Sequence, residues 1–267
     1  MKYYLTESFS NSFYKDVLIE TGGTGNLLCS YASNKNIKVA LDFLKDFPKD
    51  IELIIDSGAF SVWNSGRSMN RGDLLKFYQA IKAIRPNTNF INLDVIPGSK
   101  GKKPTTKQSK DACEAGWQNF LWFKKQGFTT LPVFHEDDDW DYLYKMMKET
   151  DFICISPAND STTTTRMKWL DKVYSILKAD YKTHGLAATA LPLLKRYPFY
   201  SVDSINWKSA CMFAHSKSDN GNKQQVSQLS RDKKLRKVVL AREVRYYKQL
   251  QDDITNLWEK RGVKWEN

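Results

Sequence analysis

Five residues of catalytic type stand at the ends of apolar runs: Asp56, Asp94, His135, His184 and Asp203. Aspartate can act as nucleophile, general acid or general base, and histidine can move protons near neutral pH. Carboxylates and imidazoles gathered in one place suit nucleophilic and acid-base chemistry, in which one group attacks while another moves a proton. The richest stretch is 51–63, IELIIDSGAFSVW, in which a β-branched run ends at Asp56. After it, Ser57, Gly58 and Ala59 let a ligand approach the backbone, and Phe60 and Trp63 offer flat apolar faces. A turn cap explains one such aspartate equally well. It does not explain five polar run ends carrying three carboxylates and two of the chain's three histidines.

Positioning such residues requires a scaffold, and the hydrophobic periodicity supplies one. Strands are predicted at 2–5, 27–31, 51–55, 89–93, 130–134, 152–155, 181–184 and 199–202, with helices at 12–20, 35–45, 71–84, 106–126, 140–148, 166–177 and 191–196 and a long C-terminal helix. Eight strand-helix units predict a (β/α)₈ TIM barrel in a single domain spanning 1–267, with chemistry at the C-terminal ends of the strands. The acidic run EDDDWD at 136–141 reads as a helix start, where carboxylates meet the positive end of the helix dipole, ahead of a metal site. TGGTGN at 21–26 lacks the spacing of a phosphate loop or a dinucleotide fingerprint and reads as a turn. The aromatics of 106–126 read as core.

Cys29, Cys113, Cys154 and Cys211 are scattered, so reduced thiols are expected and neither a zinc site nor any other metal or resident cofactor. No apolar run reaches membrane-span length and no signal-peptide pattern opens the chain, so a cytoplasmic protein is expected, without a membrane partner. The net charge of +11 is unevenly placed. Between Lys223 and Lys248 nine cations face two carboxylates, a local +7. On a helix at about 223–260 these cations, among them Lys233, Lys234, Arg236, Lys237, Arg242 and Arg245, would attract a polyanion such as nucleic acid; a solvated helix face is the alternative.

Five segments together carry a resemblance: DSGAF at 56–60, LDVIPG at 93–98, PVFH at 132–135, HGLA at 184–187 and SVDSINW at 201–207. The combination resembles the tRNA-guanine transglycosylase superfamily, and within it the compact phage and bacterial DNA-guanine transglycosylases, the deoxypurine-in-DNA protein A group. The resemblance implies exchange of guanine in a polynucleotide for a 7-deazaguanine (preQ0-like) co-substrate through a covalent aspartyl-sugar intermediate. It implies Asp203 as the nucleophile, Asp56 as the aspartate that recognises the base and manages its proton, and Asp94 as the reader of the purine amidine edge. Gly185 and Leu186 match a backbone segment that binds the base carbonyl. Ser57, Gly58 and His184, in the same motifs, are implied as further substrate-binding residues, and Phe60 is the implied stacking partner. His135 is implied as a base contact, at the place where the tRNA enzymes usually carry glutamine. Ala59 replaces a glycine, and the zinc-site spacing of the tRNA enzymes is missing. These departures favour DNA as the polymer and leave tRNA as the alternative, with host cytoplasm as the setting for a phage-encoded protein. A different barrel glycosidase and a non-catalytic nucleic-acid binder also remain open.

Overall fold

A computed structural model of the chain describes residues 1–9, 12–66, 68–99, 102–158, 161–213 and 232–265. Strands and helices alternate throughout: β1 (Lys2–Glu7), α1 (Ser12–Thr21), β2 (Asn26–Ser30), α2 (Ile37–Leu44), β3 (Glu52–Asp56), α3 (Ala59–Ser65), α4 (Arg71–Ile84), β4 (Asn89–Phe90), α5 (Thr106–Lys125), β5 (Val133–His135), α6 (Trp140–Glu149), β6 (Phe152–Ser156), α7 (Thr163–Leu177), β7 (Lys182–Gly185), α8 (Leu191–Arg196), β8 (Ser201–Ser204), α9 (Ser209–Phe213) and α10 (Lys233–Lys260). The strands form one all-parallel sheet in the order β4-β3-β2-β1-β8-β7-β6-β5. This sheet is curled into a half-barrel, and its two edges approach each other. Ile91, just after β4, forms a single parallel bridge with Leu131, just before β5. Around it the Asn92 amide donates to Leu131 O at 2.9 Å and the Leu131 amide to Phe90 O at 2.7 Å.

The two sheet faces bury different residues, as the strand period of two requires. Tyr3 and Leu5, Leu27 and Cys29, and Leu53 and Ile55 join the large core shared with the helices. Their alternating neighbours Tyr4, Leu28 and Ile54 join a separate cluster with Ile91, Leu131, Val133, Phe152, Cys154 and Tyr200, which fills the inside of the curl. Burial pushes the thiols of Cys29 and Cys154 up, which keeps them protonated. Continuing the inward parity by two residues reaches Thr6, Ser30, Asp56 and His135 at the C-terminal ends of their strands. Those ends form the mouth.

The glycine-rich turn lies between α1 and β2, at the opposite end, with Gly22, Gly23 and Gly25 all at positive φ. It therefore shapes a turn and is remote from the mouth. α10 runs from the mouth to the floor. At its start Lys233 and Arg236 lie over the Phe13 ring in the first turn of α1, at 5.7 and 4.9 Å. Toward its end Gln251 accepts from the Tyr3 amide at 2.8 Å and Thr255 accepts from the Met1 amine at 2.9 Å. Asp232 caps this helix, accepting from the amides of Lys234 and Leu235, so α10 begins at Lys233. The expected stretch from 223 to 231, with Lys223 and Arg231, and His215 as well, lie outside the described residues. Among the described residues no helix is long and apolar enough to cross a membrane.

Candidate active site

Asp203 sits on β8 with both carboxylate oxygens occupied. The Thr6 hydroxyl of neighbouring β1 donates to Oδ2 at 3.0 Å, and the Ala187 amide, just past β7, donates to Oδ1 at 3.0 Å. Ala187 has φ of +50°, a left-handed conformation that costs an alanine energy and turns its N–H toward the carboxylate. Nearby, Gly185 is required by packing: a Cβ there would meet Phe199 Cε1 at 2.8 Å and Ala188 Cβ at 2.9 Å. The Leu186 amide is already bonded to Ile155 O at 3.0 Å, so reading a base carbonyl at this amide would need that bond to open. The Leu186 side chain packs on the inner apolar cluster.

Asp94 and His135 come from opposite edges of the sheet and meet. His135 Nε2 lies 2.9 Å from Asp94 Oδ2, and the Ser57 hydroxyl is 3.4 Å from Oδ1. Burial disfavours a charged imidazole at His135, but the Asp94 hydrogen bond and the charges of Asp94, Asp138 and Asp137 outweigh it and raise its pKa above the ordinary value. Asp138 braces this histidine through the backbone, accepting from the His135 amide at 2.8 Å and donating its own amide to His135 O at 3.1 Å. The acidic run thus does local structural work: Asp139 caps α6 and Glu136 accepts the Ala158 amide at 2.9 Å. Among the described residues no cluster of histidine, cysteine, aspartate or glutamate could hold a metal ion.

Asp56 closes the group. Its pKa is raised to about 7, first by burial and then by the charges of Asp94 and Asp203, while the Ser30 hydroxyl and the Gly58 amide pull it back. These couplings put the carboxyl groups of Asp56 on β3, Asp203 on β8 and Asp94, four residues past β4, in one electrostatic environment. The Gly58 amide donates to Asp56 Oδ2 at 2.9 Å from a left-handed φ of +82°. A Cβ on Gly58 would lie 2.2 Å from Ala32 Cβ, so Gly58→Ala is expected to cost about 3 kcal/mol of unfolding free energy, from left-handed strain plus overpacking. A urea midpoint unchanged from wild type would contradict that. Beyond the turn, Phe60 is 54% exposed on α3 and leans on Trp63, whose indole N–H donates to Gly98 O at 3.1 Å.

Sequence reasoning missed Thr6, Ser30, Ser201 and Asp138. Only strand parity pointed to the first two; Ser201 lies in the SVDSINW segment and Asp138 in the acidic run, but neither pattern indicated the histidine it supports. The basic residues of α10 do not form one free stripe. Lys237 pairs with Glu20, and Arg236, Lys237 and Arg242 are half-buried, while Lys233, Lys234 and Arg245 are exposed. Comparison with known proteins returns no matching family model and no matching curated protein.

Proposed function

We propose that the chain closes as a (β/α)₈ barrel and exchanges guanine in DNA for a 7-deazaguanine through a covalent bond between Asp203 and the sugar. The inner apolar cluster and the bridge joining the sheet edges support closure. The observation that carries the reaction is the set of carboxyl groups at the mouth: Asp203 held by Thr6 and Ala187, and Asp94 against His135 at 2.9 Å and against Ser57, the neighbour of Asp56, at 3.4 Å, with burial and these charges raising the pKa of Asp56. Glycosidic exchange needs two states side by side: a carboxylate to bond to C1′ and an acid to meet the base. In the first half-reaction Asp203 forms a bond to C1′ as the C1′–N9 bond breaks. The electron pair passes to the guanine, which takes the Asp56 proton. In the second half-reaction Asp56 removes a proton from the incoming 7-deazaguanine, whose nitrogen displaces Asp203 from C1′.

Duplex DNA and tRNA, each labelled at guanine, distinguish the polymers: label release limited to one equivalent of enzyme unless a 7-deazaguanine is added supports exchange, and multiple-turnover release without one supports a hydrolase. Binding without release from either polymer would sink the enzymatic reading.

A stacked guanine must leave the duplex to reach carboxyl groups among strand ends, and backbone contacts offset that cost. The start of α10 beside the first turn of α1 puts cations on the mouth side. Reversing Lys233, Lys234, Arg236 and Lys237 to glutamate is expected to weaken binding to all DNA sequences alike. It should also flatten the salt dependence, by up to about 0.9 in slope for each phosphate that is no longer neutralised. Because Lys237 already pairs with Glu20, the flattening should be smaller than four free cations would produce. An unaltered salt slope would make this a solvated face.

A further inference from the structure

His184 is completely buried on β7, yet among the described residues its Nε2 has no hydrogen-bond partner. Its Nδ1 lies 2.9 Å from the Ser201 hydroxyl on the neighbouring strand, and the Tyr4 ring packs edge-on against the imidazole at 5.8 Å. Nε2 faces Asp203 Oδ1 across 3.5 Å, close enough for charge to matter but poorly aligned for a hydrogen bond. Two tautomers are possible, and they differ sharply. With the proton on Nδ1, the bare Nε2 lone pair would face a carboxylate oxygen, the two would repel, and the buried nitrogen would have no donor. With the proton on Nε2, Ser201 donates to Nδ1 and an N–H faces the carboxylate.

We infer that His184 is a positioning residue for Asp203: Ser201 fixes its tautomer, and its Nε2–H, together with the Ala187 amide, holds Oδ1 so that Oδ2 is the oxygen that bonds to the sugar. This rests on the base-exchange reading and deepens it. Oδ1 accepts the Ala187 amide and has His184 Nε2 3.5 Å away, near enough for a small shift to make it a second donor. Among the described residues Oδ2 accepts only from the Thr6 hydroxyl, which can rotate away. When Oδ2 bonds to C1′, Oδ1 becomes the ester carbonyl oxygen and can still accept from Ala187 and His184. The same two donors therefore serve the carboxylate and the ester, and the ester's orientation toward the incoming base is retained. A histidine whose role was only to fill space would need neither a defined tautomer nor a donor at that edge.

The test combines kinetics with histidine nitrogen NMR on the full chain. His184→Ala is expected to lower the exchange kcat by about 10²-fold, the scale of losing one preorganised donor, with the KM for DNA within about twofold. His184→Gln, whose amide can donate toward Oδ1, should recover most of that loss. The nitrogen spectrum should show His184 protonated at Nε2 and bare at Nδ1, a signature that survives a failure of His184→Ala to fold. Wild-type exchange with an unimpaired His184→Ala, or a spectrum showing the Nδ1–H tautomer, would overturn this inference and leave the base-exchange reading standing. Wild-type protein that releases no guanine from any polymer would overturn both.

Discussion

Asp203→Asn is expected to lower guanine release by roughly 10⁴-fold or more, the scale on which enzymes lose a nucleophile, while folding and DNA binding persist. The amide is nearly the same size, and the site can receive it without an orphaned group. Its oxygen can accept from the Ala187 amide as Oδ1 does at 3.0 Å, and its nitrogen can donate to the Thr6 hydroxyl that now donates to Oδ2 at 3.0 Å. The side chain is 13% exposed, so solvent access is preserved. What the amide lacks is the electron-rich oxygen that bonds to C1′. Denaturing gels of wild-type protein with DNA and no 7-deazaguanine should show a covalent adduct, and the variant should show none. Turnover near wild type in the variant would remove Asp203 from the role and return the site to its alternatives.

The parts of this arrangement that local chemistry dictates are legible in the sequence. α4 follows from the Asn70 cap and from Leu74, Leu75, Tyr78 and Ile81 at helical spacing, all of them buried. The strand ends bearing Asp56, His135 and Asp203 follow from β-rich runs that stop at polar residues. β4 departs from expectation: regular pairing ends at Phe90, because the sheet edge is held by one bridge and the Asp94 amide turns back to Asn92 O. α3 escapes a reading by periodicity, since seven residues between two left-handed glycines carry too little of it to register. The pairing of Asp94 with His135, 41 residues apart, is set by closure of the sheet edges, and no local pattern encodes it. The same holds for Thr6 and Asp203, brought together by pairing of the first strand with the last. A sequence names the groups with chemical capacity, whereas the proton state of each depends on which strangers the fold places beside it.

That dependence makes Asp56→Asn informative in two ways at once. Activity should fall by about 10² or more, because the carboxyl that gives and retrieves the base's proton is gone. With a pKa near 7, wild-type Asp56 is protonated below neutrality and ionised above it, so the acid-dependent first half-reaction should decline as pH rises through about 7. The asparagine variant should lose that limb of the profile along with its rate. Stability should move the other way. The folded pKa lies above the ordinary aspartate value of 3.8, so between those two pH values the native state binds more protons than the unfolded chain, and stability falls as pH rises. Above about pH 7 the full cost of ionising Asp56, beside Asp94 and Asp203, is present; a shift of this size corresponds to roughly 4 kcal/mol. The amide carries no such cost, so the variant should be more stable than wild type at pH 8 and show little difference near pH 4. Urea titrations at the two pH values measure the crossover. Equal stability at both, with activity intact, would show that Asp56 is an ordinary turn-capping carboxylate, and the proton for the departing base would then have to come from the raised-pKa imidazole of His135, which already lies against Asp94.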